Sequence, residues 1–296
     1  MNNPLVSLIV PLYNRAPLIG ETIDSLNKQS YNNIEVIIID DGSTDNSFDV
    51  AFSFMEQDKK IKVVRRPSNL SKGANSCRNF GLSLASGRYI KWIDSDDLLS
   101  PTAIEVQVNN LMNTNADVSI CKALKFVQKE KNGEKVFLSE WGKIDTFPSI
   151  DNFCNYQFIW HTCAGLWDSS FLKKGLFWDE ELKNSQEWLF HLQSIVVGVK
   201  VSVLNDFLVN IRVHGDSMSD KSNKKGIYYY HECLARYKAA KLLVSNNYLN
   251  SKVYKKLLKK LSWYHLFVFY KGSFMAGIKT FAFYPIFIFR LLKLKQ

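Results

Sequence analysis

Residues 34–45 read Ile34-Glu35-Val36-Ile37-Ile38-Ile39-Asp40-Asp41-Gly42-Ser43-Thr44-Asp45. A β-branched run stops abruptly at two carboxylates, a glycine and small hydroxyl residues. Such a run suits a strand covered on both faces, because neither face alternates with polar residues. The polar residues after it are turn and helix-start types, and Asp45 reads as the N-cap of a following helix. Working outward, the same unit recurs. Leu5–Val10 is a short apolar strand, followed by Pro11-Leu12-Tyr13-Asn14 and a helix over Ala16–Lys28 with Ile19, Ile23 and Leu26 on one face. Ile61–Val64 is a third strand. Ser71 opens a helix through Ser86, with Ala74, Cys77, Gly81 and Leu84 along one side and Gly87 as its C-terminal glycine. Tyr89–Ile93 is a fourth strand, ending at Asp94-Ser95-Asp96-Asp97. Ser100-Pro101 then starts a helix through Met112. Four strand–helix units in succession predict an α/β fold with a mostly parallel, doubly wound sheet and flanking helices.

The remainder is less regular. Asp117–Cys121 and Val201–Arg212 read as strands, and Lys129–Glu134 as a charged turn. Phe153–Leu172 is rich in aromatics. Glu180–Val197, Tyr228–Asn246 and Ser251–Lys260 read as helices. No internal repeat or low-complexity linker interrupts them.

Composition sets outer bounds. The chain has 296 residues, 46% hydrophobic and 22% charged, which is ample for a packed core. Met1-Asn2-Asn3-Pro4 leads directly into a strand without the basic and apolar regions of a signal peptide. Cys77, Cys121, Cys154, Cys163 and Cys233 form no C-x-x-C pair, so free thiols in a reducing cytosol are expected and no chemistry is assigned to them. The net charge of +10 is uneven: Lys252–Gln296 holds ten basic and no acidic residues, leaving the preceding chain neutral. Leu261–Leu294 interleaves those cations with aromatics, and Lys271, Lys279 and Pro285 break it below the length of a spanning helix. An anionic membrane surface, rather than nucleic acid, is the partner such a tail fits.

In an open α/β sheet ligands bind beyond the carboxyl ends of the strands. Three polar clusters fall there, and each alone has an ordinary reading as a turn or cap. Asp94-x-Asp96 is the sharpest. Two carboxylates two positions apart at a strand end project to one side and repel unless a cation such as Mg²⁺ or Mn²⁺ lies between them. No G-x-G-x-x-G follows any strand, which argues against a dinucleotide dehydrogenase. Pro11-Leu12-Tyr13-Asn14-Arg15 is not the glycine-rich loop a sugar nucleotidyltransferase would need.

These elements together resemble the inverting glycosyltransferases of family 2, whose fold is GT-A. The resemblance is carried by Ser7–Asn14, Ile39–Asp45, Asn69, Gly73, Arg78-Asn79-Phe80-Gly81, Gly87–Asp97, and Arg212-Val213-His214 with Ser217-Met218-Ser219. It is continuous over about residues 5–112 and reaches about residue 220 in islands. It implies a UDP-sugar donor, Mn²⁺ or Mg²⁺ as cofactor, and a glycan or lipid-linked acceptor, as in bacterial surface-polysaccharide or lipo-oligosaccharide assembly. Pro11, Tyr13 and Asp41 would line the uridine pocket beside Asp40, with Arg78 near the diphosphate. Asp94 and Asp96 would hold ribose and metal, with Asp96 the principal ligand, His214 serving metal or diphosphate, and Asp97 close by.

An inverting enzyme needs a base for the acceptor hydroxyl. The family presents Glu-Asp before an aromatic. Here Gln186-Glu187-Trp188 stands instead, so Glu187 is the candidate base, with Asp179, Glu180 and Glu181 as nearby alternatives. Trp160, His161 and Trp188 are candidates for sugar contact or for the core. The resemblance divides the chain into a nucleotide-sugar half (1–115), an acceptor half (116–220) and a helical, membrane-associating extension (221–296). It places the enzyme in the cytoplasm, peripheral on the inner face of the cell membrane. A scaffold that binds nucleotide or membrane without turnover is the alternative.

Overall fold

The computed structural model describes residues 3–129, 133–215, 227–248 and 252–260. They fall into two compact units. The first comprises residues 1–147, 158–180 and 199–213; the second comprises 148–157, 181–198 and 214–296. The aromatic, basic segment 261–296 lies outside the described residues, as do Ser217–Ser219. No described helix is long and apolar enough to cross a membrane.

The first unit carries the whole sheet. Its strands are β1 (Val6–Leu12), β2 (Ile34–Asp40), β3 (Ile61–Arg65), β4 (Tyr89–Trp92), β5 (Leu98–Leu99), β6 (Val118–Gln128), β7 (Lys135–Trp141), β8 (Gly165–Asp168) and β9 (Val201–Arg212). Their order is β3-β2-β1-β4-β8-β6-β9-β5, with β7 paired to β6. The leading strands β3, β2, β1 and β4 are parallel. Antiparallel pairs then enter through β8, which joins β4 to β6, while β6 and β9 run parallel. Three of these strands left little trace in the sequence. β5 has only two residues, β8 has four, and β7 is exposed at all but its half-buried Val136 and Trp141.

Burial follows the expected pattern. Every residue of β1 is buried, as are all but one of β2. Helix α1 (Ala16–Asn27) buries Ile19, Thr22, Ile23 and Leu26, one face at helical spacing. α2 (Ser47–Gln57) follows β2, and α4 (Ala103–Thr114) ends at Asn115 in the left-handed region. Helix α3 (Ala74–Leu84) starts later than Ser71 suggested, after Gly73 at φ 140°. Its Cys77 packs against Ile37 and Ile39. A Cβ on Gly81 would lie 2.4 Å from Ile9 Cγ2, so this glycine lets α3 approach β1 closely.

Gly87 is not the helix-ending glycine the pattern suggested. It sits where a Cβ would fall 2.6 Å from the Ser7 backbone nitrogen. The close approach is sealed by Gly87 N–H donating to Ser7 Oγ (2.8 Å) and Ser7 Oγ donating to Glu35 (2.5 Å). The first unit also contains a 3₁₀ turn (Thr162–Ala164) and α6 (Ser169–Leu172).

The second unit is helical where described: α5 (Ile150–Cys154), α7 (Gln186–Val196), α8 (Ile227–Ser245) and α9 (252–260). Helix α7 begins later than the expected Glu180, because Ser185 adopts the left-handed conformation (φ 55°) and starts the helix there.

Candidate active site

The carboxyl ends of β1, β2 and β4 bring the three polar clusters to one edge of the first unit. The loops after β1 and β2 are joined by direct hydrogen bonds. Asn14, at φ 49°, donates its N–H to Ser43 Oγ (3.1 Å) and accepts from Thr44 N–H (2.8 Å). Arg15 N–H donates to Ser47 Oγ (2.6 Å), and Ala16 N–H to Asp45 (3.1 Å). Asp45 also accepts from Ser47 N–H (3.0 Å), but it lies one residue before the N-cap, which is Asn46 and not the expected Asp45.

Asp40 and Asp41 are adjacent but do different work. Asp40 turns inward, 1% exposed, and accepts from the N–H groups of Gly42 (3.1 Å) and Ser43 (3.3 Å). It fixes the shape of its own loop. Asp41 pairs with Arg66 Nε at 2.5 Å, and Arg66 also donates to the Pro67 and Leu70 carbonyls. Pro11 is buried within β1, whereas Tyr13 presents its ring at 41% exposure, with Lys72 Nζ 4.4 Å above the centroid.

At the end of β4 the carboxylates are similarly divided. Asp94 accepts from Arg78 Nη2 at 2.7 Å. Arg78 is held by Asn75 Oδ1 (3.0 Å) and lies over the Trp178 ring (4.6 Å). Asp96 pairs with Arg15 Nε at 3.0 Å. Asp97 is 2% exposed and accepts from Arg212 N–H at 3.0 Å. Burial, then the charges of Asp96 and Asp94, push the Asp97 carboxyl well above the usual carboxylate range. Arg212 is the hub behind them: its side chain donates to the Asp96 carbonyl (3.0 Å) and reaches Gln128 and Glu21.

Cys163 and His161 complete this edge. Cys163 Sγ donates to Asp97 Oδ2 (3.4 Å) and accepts from Asp94 N–H (3.2 Å). His161 Nδ1 accepts from Cys163 N–H (3.3 Å) and lies 3.9 Å from Asp97 Oδ2, with its ring edge-on to Trp141. One ligand atom from each of Asp94, Asp97, His161 and Cys163 lies within 4.8 Å of the others. Burial and the two aspartates drive the Cys163 thiol well above its ordinary pKa, so it is a neutral donor here. All five cysteines are free thiols. The donor set suits a divalent cation. Three aspartates crowd together, and burial first, then the charges of Asp96 and Asp94, oppose ionisation of Asp97.

The remaining candidates distribute differently. Trp160, 1% exposed, packs on Phe158 in the first unit and serves the core. Glu187 stands in the first turn of α7, in the second unit, where a carboxylate suits the positive end of the helix dipole. Trp188 follows it, stacked on Phe153. His214 is half-buried and belongs to the second unit. The sequence reading missed Arg15 and Arg66 as partners of Asp96 and Asp41. It also assigned Cys163 no chemistry, although Cys163 lies two residues from His161, which was singled out.

Comparison with known proteins gives a consistent result. The model of the family described as Glycosyl transferase family 2 matches residues 7–173, more than half the chain. The uncharacterized glycosyltransferase EpsJ of Bacillus subtilis is 27% identical over 253 residues, covering 83% of this chain and 71% of EpsJ. In fold, the chain is similar to S. aureus TarS 1–349 in complex with UDP-GlcNAc: TM-score 0.67, 21% identity, 88% of this chain and 72% of that one. It is also similar to the mannosyltransferase PcManGT from Pyrobaculum calidifontis in complex with GDP-Man and Mn²⁺, with TM-score 0.59, 17% identity, and coverage of 94% and 79%.

Proposed function

The chain belongs to glycosyl transferase family 2, and from that premise we propose that it transfers a sugar from a UDP-sugar to a hydroxyl of a glycan or lipid-linked acceptor, with inversion. The observation that carries this reading is the paired-charge edge of the first unit. Asp94 and Asp96, each bound to an arginine, stand at the end of β4, beside the loops that expose Tyr13 and hold Asp41.

The roles follow from the chemistry of the groups. Tyr13 offers an open aromatic face on which a uracil ring stacks, and Asp41, oriented by Arg66, accepts from its polar edge. Arg78 and Arg15 supply guanidinium groups suited to diphosphate oxygens. Asp96 and Asp94 would hold Mn²⁺ or Mg²⁺, which when bound neutralises charge on the departing diphosphate. The complexes of TarS with UDP-GlcNAc and of PcManGT with GDP-Man and Mn²⁺ support a nucleotide-sugar donor and a divalent ion.

Glu187 takes the proton of the acceptor hydroxyl as that oxygen attacks the anomeric carbon. The bond from that carbon to the UDP oxygen breaks in the same displacement, and the electron pair leaves with UDP. An acceptor carried by lipid at the inner membrane face fits the basic, aromatic sequence of the tail. One observation favours a second reading, a nucleotide-binding scaffold without turnover: Gln186 occupies the place of the acid that precedes the base in the family pattern.

Calorimetry of UDP binding, with and without Mn²⁺, tests the donor site. We expect binding that requires the ion and is lost in Asp96→Ala. Folded protein that binds no UDP under either condition would sink the uridine assignment. UDP binding without sugar transfer to any acceptor would favour the scaffold.

A further inference from the structure

The second unit holds a small, open-mouthed cavity of its own among α5, α7, α8 and α9. Arg236, Lys256 and Lys260 all line it, with the indole of Trp188 and the apolar side chains of Val253 and Leu257. None of these residues belongs to the donor site.

Among the described residues, the charges lining this cavity are not balanced. Arg236 is 2% exposed, pairs with Glu232 at 2.9 Å, donates to Tyr156 Oη (2.5 Å) and Ser185 Oγ (3.1 Å), and lies 4.1 Å over the Trp188 ring. Lys256 Nζ donates to the neutral Asn155 Oδ1 at 3.0 Å. Lys260 Nζ lies 4.3 Å over the Tyr156 ring. Among the described residues neither lysine is paired with a carboxylate. Glu232 therefore answers one of three cations. Burial and then the charge of Arg236 push the Lys260 ammonium below its usual pKa, as expected of cations gathered without enough counter-charge. A further donor is waiting: Trp188 is 8% exposed, and its Nε1–H is buried with no hydrogen-bond partner among the described residues. An unmet buried N–H of this kind costs about 1–3 kcal/mol, so native structures seldom leave one without reason.

We propose that this cavity binds a phosphoryl group, as a phosphate monoester or diphosphate. Its donors are two ammonium groups and an indole N–H, with the Arg236 guanidinium adding positive charge from behind. They outnumber the two oxygens of a carboxylate and suit the three or more oxygens of a phosphoryl group. Val253 and Leu257 leave an apolar wall for whatever the phosphate is attached to. The site stands independently of the donor reading, since its residues lie wholly in the second unit.

The test uses the full chain in the Asp96→Ala background with EDTA, so that the donor edge does not contribute. Inorganic phosphate and pyrophosphate are titrated by calorimetry. Phosphatidylcholine vesicles with and without phosphatidate are tested by co-sedimentation. Lys256→Ala/Lys260→Ala is expected to weaken the binding at least about tenfold, the loss of two charge-assisted hydrogen bonds. Trp188→Phe, which keeps the ring and removes the N–H, is expected to weaken it several-fold. With Asp96 restored, both variants should bind UDP and Mn²⁺ as the parent does. Free phosphate binding alone identifies a soluble phosphate ligand; vesicle binding that the double variant loses, with weak free phosphate binding, identifies a lipid headgroup. Unchanged binding in the double variant, or no binding of any probe by folded parent protein, overturns the proposal.

Discussion

The two units hold charge in opposite ways. In the first, Asp40, Asp41, Asp94, Asp96 and Asp97 stand at or just past the ends of buried parallel strands. The backbone ladder fixes their positions, and cations from elsewhere in the chain come to meet them. In the second, the charged groups lie inside a helical assembly: Arg236, Glu232, Tyr156 and Ser185 bond to one another on α8 and the segments around it. A strand-end carboxylate can give up its arginine to a ligand, because water and the ligand stand in for it. A buried side-chain network has no such exchange, and removing one member leaves another charge stranded. The first arrangement leaves its carboxylates open to exchange with a ligand, and the second holds Arg236 and Glu232 in fixed places.

The largest effect should come from the catalytic residue assigned to the second unit. Glu187→Gln is expected to lower kcat by about 10²–10⁴-fold while leaving UDP and Mn²⁺ binding intact. Turnover at the parental rate would remove Glu187 from the mechanism and return the second unit to a structural role. Next, Arg236→Ala should cost about 3–5 kcal/mol in chemical denaturation, because Glu232 stays buried without its partner. A loss under about 1 kcal/mol would mean that this network resembles the strand-end pairs after all.

His231 offers a pH test confined to the second unit. It is buried and accepts from Lys183 N–H, and burial and then Lys183 lower its pKa from 6.5 to about 4. The neutral ring is the one the fold accepts. Its contribution should be complete above pH 6.5 and be lost as pH falls toward 4, where the unfolded chain takes the proton first. The difference between the parent and His231→Phe should therefore change by at most about 3 kcal/mol across that window. A flat difference would remove the assignment. In the first unit, Gly87→Ala should cost about 1–3 kcal/mol, since the added methyl meets the β1 backbone rather than a movable side chain. Unchanged thermal stability would show that β1 and the segment before β4 can part without cost.

Legibility in the sequence divides along the same line. The β1, β2 and β4 clusters could be read directly, because a buried parallel strand announces itself as an apolar run and the residue after it must lie at the ligand-binding edge. Gly87 was read as punctuation when its reason was a close approach to Ser7, a contact 80 positions away in sequence. β5, β7 and β8 were missed because two to four residues, or a largely exposed run, carry no usable periodicity.

What the sequence determined by itself was the α/β frame and the edge of it where Asp40, Asp41, Asp94 and Asp96 gather, since strand period and strand ends are local properties. Tertiary structure alone decided which carboxylate does what. Asp40 shapes its loop, Asp41 meets Arg66, Asp94 meets Arg78, and Asp96 meets Arg15 across 81 positions. Asp97 is buried against Cys163 and the Arg212 backbone, 66 and 115 positions distant. The groups proposed to meet a phosphoryl ligand in the second unit likewise come from three helices: Trp188 from α7, Arg236 from α8, and Lys256 and Lys260 from α9. Pairings at such separations depend on how the elements pack, and no local spacing encodes them.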